Sequence, residues 1–306
     1  MFNRRQMACV CLARVLLGSS LFFVSVQTSA LSQEGEAGGN EEQTIIVEGR
    51  RDAEKARELT EKVAREQAGE ITRAARSGYP LERLHLPVCP YVVGINEAIA
   101  SELIERMKSN AISLGIQAGL DDCSKNILVG FVPDVEAEMA ALLKNDPWAF
   151  GALRRYQRDR VEKETGPTRA WHASIMGDRF GKPKLDLYGE PKVKRSNPSA
   201  SRIRNMETQL IVGSVVLINR GAVEGKTIQQ ISDFATFRAL APVNTKNLAL
   251  DSILTLFRDD AAPPALTDFD KAYLSAYYSS DNKILSSDKV MSTIGELYAD
   301  AQDSDD

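Results

Sequence analysis

The sequence predicts an α/β (α+β) fold, a mixed sheet with helices packed on it, on three observations. Short apolar runs such as "VCPYVVGI" (88–95), "NILVGFV" (126–132) and the strand-like 209–218 recur along the chain. Segments of helical period separate them, notably 96–114 and 134–145. Once a leader is set aside, about 275 residues remain, enough to bury a substantial core.

The leader is residues 1–30. Arg4 and Arg5 precede a short apolar run, Val15 to Val26, and Thr28-Ser29-Ala30 offers a cleavage site. Such a run is shorter than the ~20 residues a membrane-spanning helix needs. The expectation is an exported chain, periplasmic or secreted, cleaved near Ala30. Cys9 and Cys11 leave with the leader, so Cys89 and Cys123 remain as an even pair in a compartment that permits a disulfide.

Residues 31–43 read as a flexible leader rich in Gly and Glu. In 44–76, "TIIVEG" (44–49) predicts a short strand. A satellite helix follows over 51–76, with Ala53, Ala56, Leu59, Val63 and Ala64 on one face. Residues 77–177 form an expected N-terminal α/β subdomain. Its parts are the strand at 88–95, a helix over 96–114 with Ile99, Leu103, Ile104, Met107 and Ile112 as its stripe, and a strand region in "LGIQAGL". The strand 126–132, a helix over 134–145, a further helix over 147–165 and the alternating "TRAWHASIM" complete it. Residues 178–204 read as a basic loop or hairpin and as the boundary between halves.

The C-terminal subdomain, 205–298, opens with the strand at 209–218. A helix over 227–241 is started by Thr227 and stopped by Pro242, with Ile228, Ile231, Phe234, Ala235, Arg238 and Ala239 at helical spacing. Thr267-Asp268-Phe269-Asp270 is a capping-box variant that starts a helix through Tyr277-Tyr278. The last helix spans 286–298, and 299–306 is an acidic tail.

Several chemistries are excluded by what the chain lacks. "GAVEGKT" (221–227) has three residues before its Gly-Lys-Thr where a phosphate loop needs four, and Glu224 would face the anion. It therefore predicts a turn and a helix cap, and no nucleotide. Only His85 and His172 occur in the chain, too few for a three-histidine zinc site. Ser280–Lys283 and Ser286–Lys289 fit Ser-x-x-Lys without its companion motifs. No cofactor is expected, and export argues against nucleic acid as a partner.

Within 209–278, "LIVGSVVLIN", "FATFRALA", "DSILTLF" and "ALTDFDKAYLSAYY" resemble the successive parts of a metzincin-type zinc metallopeptidase domain. The resemblance implies a zincin-like C-terminal half. Its helix would put Phe234 and Arg238 at zinc-ligand positions and Ala235 at the general-base position. Phe and Arg bring no imidazole, and Ala cannot activate water, so the implied domain is catalytically dead. The chain as a whole also resembles exported proteins of alphaproteobacteria through "IIVEGRRD", "PVCPYVVGI", "CSKNILVGFV" and "LTDFDKAYLSAYY", which implies no particular activity.

The favoured reading is thus an exported, non-enzymatic protein that acts by binding. One alternative is a periplasmic hydrolase with an atypical site, His172 working with Asp233 or Glu224. Another is an envelope-associated structural protein. For that, residues 152–204, with fourteen Lys and Arg against six Asp and Glu, offer a face to an anionic surface through 178–204.

Overall fold

The computed structural model describes residues 40–73, 81–150, 153–193, 207–246, 248, 250–258, 261–279 and 287–305. The expected signal, the leader through residue 39 and the Ser280–Lys283 motif lie outside them. The packing that follows is that of Gly49–Asp306.

The fold is α/β. Its five strands are β1 (Glu82–Leu84), β2 (Pro90–Val93), β3 (Ile127–Val132), β4 (Thr168–Asp178) and β5 (Glu207–Asn219). β2 pairs with β3, and β3 and β1 each pair with β5, all parallel; β4 pairs with β5 antiparallel. A strand has two edges, and β4 covers one of them from Glu207 to Ile218. β1 and β3 therefore share the other, β1 along Gln209–Ile211 and β3 along Ser214–Asn219. Between them the β4 register slips at Ala173/Ser174, which leaves Val212 as a bulge residue.

Seven α-helices occur among the described residues: α1 (Asn40–Ile71), α2 (Glu97–Ser113), α3 (Val135–Asn145), α4 (Arg155–Lys163), α5 (Ile228–Leu240), α6 (Asp268–Tyr278) and α7 (Ser287–Asp305). Successive residues of β5 divide between two cores, as the two-residue period of a strand requires. Val216 and Ile218 enter the larger core, with Ala68, Met107, Phe234, Tyr273 and Ile294. Leu217 enters a smaller one, with Val135, Met139, Phe150, Val161 and Trp171.

Helix α5 lies deepest. Every residue from Ile231 to Leu240 is buried, the mark of a helix enclosed on all sides. Thr227 starts it with a complete capping box to Gln230, while Arg220–Val223 makes one 3-10 turn and Gly225 takes φ 75°. The Gly-Lys-Thr stretch is thus a turn and a cap. Thr267 and Asp270 form the corresponding box on α6.

Several expectations need correction. "TIIVEG" belongs to α1; no described strand offers it a partner, and the Ala, Glu, Lys and Arg that follow favour helix. Nor is α1 a satellite: Ala64, Ala68 and Ile71 sit in the main core, while Leu59 is 61 % exposed. Near Glu61, α7 crosses α1 closely at Gly295. A Cβ on Gly295 would lie 2.5 Å from the Glu61 carbonyl oxygen. On α2 the buried stripe is Ala100, Leu103, Met107, Asn110 and Ala111, and Ile99 and Ile112 face outward.

"LGIQAGL" contributes only the bridge of Ala118 to Val88, because Gly119 is pressed against Cys123. The helix expected over 147–165 is a 3-10 turn at Pro147–Phe150 followed by α4. The acidic tail continues α7 to Asp305, and Asp300 and Asp303 both bind Arg57 of α1.

The described part of 178–204, up to residue 193, is two consecutive turns of one design. Asp178 accepts from Phe180 N and Lys182 N, and Asp186 accepts from Tyr188 N and Glu190 N. Gly181 and Gly189 both take positive φ. The eight-residue repeat behind this, "DRFGKPKL" then "DLYGEPKV", escapes a reading by charge alone. Because β4 and β5 pair along their length on either side of this segment, both expected halves share one sheet.

Candidate functional site

The last carbonyls of a helix lack partners within it. At the end of α5, neighbouring side chains supply them. His172 of β4 places Nε2 2.9 Å from the Arg238 carbonyl oxygen, Ser214 of β5 donates to Ala239 O, and Tyr278 of α6 donates to Leu240 O. Burial pulls the His172 pKa down to about 3, so the ring is neutral and Nε2–H is the donor. Neither Asp233 nor Glu224 reaches His172. Both oxygens of Asp233 are taken elsewhere, and Glu224 is exposed after the 3-10 turn. The structure therefore gives His172 a capping role.

Phe234, Ala235 and Arg238 share α5 and are all buried. Phe234 packs edge-on to Phe257, and Ala235 fills the core. Among the described residues no three His, Cys, Asp or Glu side chains group as a metal site. Cys89 and Cys123 form a disulfide across a separation of 34 positions. In the chain-entropy account such a bond stabilises by about 3–4 kcal/mol.

Arg238 is the unusual member. Its side chain is 2 % exposed, and Nη2 donates to Glu164 Oε1 at 2.9 Å. Glu164, at the end of α4, also receives Arg73 Nη2 at 3.3 Å. Arg73 is placed by the short pairing that follows α1: its N–H donates to Pro242 O, and Asn244 N donates to Ile71 O. Burial alone would raise the Glu164 pKa, but Arg238 and Arg73 outweigh it and hold the carboxyl below its ordinary value. Two guanidinium groups thus share one carboxylate, leaving a residual positive charge. Arg238 Nη1 has no hydrogen-bond partner among the described residues.

Arg238 lies on the wall of a small cavity beside β4. Arg73, Arg160, Glu82, Tyr156, Trp171 and His172 also line it. Glu82 of β1 reaches across β5 to accept from Ser174 Oγ at 2.7 Å and from Gln157 Nε2 at 3.1 Å. Burial pushes its pKa up against the pull of Ser174, Arg154, Arg160 and Gln157. Arg73 belongs as well to two wider clefts. Lys246 lines both, with Arg258 in the first and Arg160 and Lys163 in the second. Lys and Arg outnumber Glu along all three linings, with Glu164 in both clefts and Glu70 in the second.

The sequence singles out only two residues of this arrangement, His172 and Arg238, and for other roles. The available signal was Arg238 itself, a charge standing in the buried stripe of a helix. Arg73, Glu82, Arg160 and Glu164 give no such signal. No family model, curated protein or solved structure matches the chain.

Proposed function

We propose that the protein is an exported, non-enzymatic binding protein whose ligand is anionic and is held against Arg238 beside Arg73 and Arg160. The observation that carries this reading is that Arg238 and Arg73 share the single carboxylate of Glu164 and, with Arg160, line one cavity. The one shared carboxylate does not neutralise two arginines. The Cys89–Cys123 bond supports residence in an oxidising compartment. In this proposal the scaffold is a metallopeptidase-like one, in which Phe234, Ala235 and Arg238 stand where two zinc ligands and a glutamate would be. A buried arginine on that helix turns a place for metal chemistry into a place for an anion.

The test is calorimetric titration of the purified protein with acetate and with inorganic phosphate, beside the variant Arg238→Met. Wild type is expected to bind at least one of them, and the variant to lose about tenfold or more, the worth of one charge-assisted hydrogen bond. The double variant Arg238→Met/Glu164→Gln removes the charge left behind and controls for folding. An unchanged response in both variants overturns the reading.

A further inference from the structure

We infer that the two turns following β4 are a docking surface for an anionic lipid bilayer, with Phe180, Leu187 and Tyr188 as the side chains that enter its interface. This is independent of the Arg238 cavity, since residues 178–193 are no part of its wall. Three features carry it.

The first is that the segment is built from main-chain bonds. Met176, Lys184 and Lys192 stand eight positions apart, and their backbones close a ring. Lys184 N donates to Met176 O, Lys192 N to Lys184 O, and Met176 N to Lys192 O. Beyond that ring, Asp178 N donates to Lys182 O and Asp186 N to Glu190 O. Each turn is thus closed by its backbone as well as by its aspartate side chain. The tips are held in place beforehand, which lowers the ordering cost of a contact.

The second is what the tips carry. Phe180 and Tyr188 hold the same place in the two turns and are 70 % and 90 % exposed, and Leu187 beside Tyr188 is 100 % exposed. The turns themselves are made by Asp, Gly and the main chain, so their closure gives no reason for large apolar side chains at these positions. Apolar and aromatic side chains of this kind enter the boundary between headgroups and acyl chains, where a tyrosine keeps its hydroxyl wet.

The third is charge. Arg179 and Lys182 flank Phe180, and the Arg179 guanidinium lies 4.5 Å from its ring centre. Arg154 Nη2 is 4.0 Å from Met176 Sδ, which brings the basic start of α4 to the foot of the turns. Lys184 is bonded to Glu207. Asp178 and Asp186 each accept from two turn N–H groups, which offset part of their charge, and Glu190 is the remaining acid of the segment. The excess of cations complements anionic headgroups. A second copy of the chain docked on the same patch would set like charges against each other.

The experiment sediments the chain from Leu31 onward with vesicles of phosphatidylcholine alone or with one part in three of phosphatidylglycerol. Residues 1–30 are left off because their own apolar run would bind lipid. Binding to the anionic vesicles is expected, weakening at raised salt and weak or absent on phosphatidylcholine alone. Leu187→Ser/Tyr188→Ser is expected to weaken it about tenfold or more. Arg179→Gln/Lys182→Gln should do the same, at roughly fivefold for each cation near an anionic surface. All four side chains are exposed, so both variants should unfold in urea at the wild-type midpoint. No binding to anionic vesicles, equal binding to neutral ones, or binding that either variant leaves unchanged overturns the inference. Self-association without lipid that Leu187→Ser/Tyr188→Ser abolishes would make the patch a contact between copies and overturn it as well. Anion titration at the Arg238 cavity should be the same in both variants, so either proposal can fail alone.

Discussion

Asp233 and Arg238 lie five positions apart on α5, both fully enclosed and both charged, yet their surroundings differ. Asp233 receives four donors: Arg106 Nε at 2.9 Å and Nη2 at 3.1 Å, Asn110 Nδ2 at 2.7 Å and the Leu266 N–H at 2.9 Å. Those donors tie α2 and the entry to α6 onto α5. Arg238 receives one carboxylate that it shares with Arg73, keeps a nitrogen unpartnered and borders a cavity. A satisfied buried charge is what a fold needs in order to set its helices. An unsatisfied one makes sense where something else completes it. On the proposed function, the contrast gives the first turns of α5 to architecture and its last turn to the ligand.

The largest effect should come from the architectural side. Asp233→Ala leaves the Leu266 N–H without its acceptor and Asn110 with Thr236 Oγ1 alone, while Arg106, partly exposed, can turn to water. The expected loss is about 3 kcal/mol, within the span for breaking a buried charge network. It would be read from the midpoint and slope of urea unfolding. Acetate binding by the fraction that folds should match wild type. A loss below about 1 kcal/mol, or a parallel loss of binding, would erase the distinction between the two charges.

What sequence could and could not show follows the same division. The architectural signals are local. Thr227 with Gln230 and Thr267 with Asp270 announce their helices within four residues, and "NILVGFV" announces a central strand. The Cys89–Cys123 pairing needed only that two cysteines remain. The proposed site is assembled over distance. Glu164 is 74 positions from Arg238 and 91 from Arg73, so nothing near any of them marks their meeting. Burial by small side chains was also hard to read. Gly295 lets α7 approach α1 closely at Glu61, and Ala68 is buried, whereas pattern reading placed Leu59 beside Ala64 on one face and Leu59 is exposed to solvent.

A second test turns on pH and on the residue that links the strand to the binding end of α5. His172 stays neutral in the folded protein down to about pH 3, whereas in the unfolded chain it takes a proton near its ordinary value of 6.5. The unfolded state therefore binds more protons between those values. Stability contributed by His172 is complete above about pH 6.5 and declines as pH falls toward 3, by at most about 1.4 kcal/mol per pH unit. Asp270 works in the opposite sense. Burial raises its carboxyl to about 6, so the folded state holds the extra proton between the ordinary value of 3.8 and about 6, and stability declines there as pH rises. Comparison with His172→Gln cancels the Asp270 contribution, which both proteins share. The difference in unfolding free energy should shift in the variant's favour as pH falls from 6.5. A constant difference across that range would mean that His172 does not carry the Arg238 carbonyl as a neutral donor.

The smallest effect belongs to the start of α5, where the Gly-Lys-Thr stretch turns into helix. Thr227 accepts from the Gln230 N–H, and Gln230 Oε1 accepts in return from the Thr227 N–H. Removing the hydroxyl in Thr227→Ala should cost about 1 kcal/mol, the usual value of an N-cap. Thr227 is exposed, so the freed N–H can find water and the loss should not exceed that range. Because Asp233 lies beyond the first turn and Arg238 further still, neither charge network loses a partner. Urea unfolding should show the modest loss with an unchanged slope, and anion titration should be indistinguishable from wild type. A larger loss would mean that the entry to α5 also sets the position of Asp233. Altered anion binding would mean that the two ends of the helix are coupled, and the assignment of its first turns to architecture and its last turn to binding would then have to be given up.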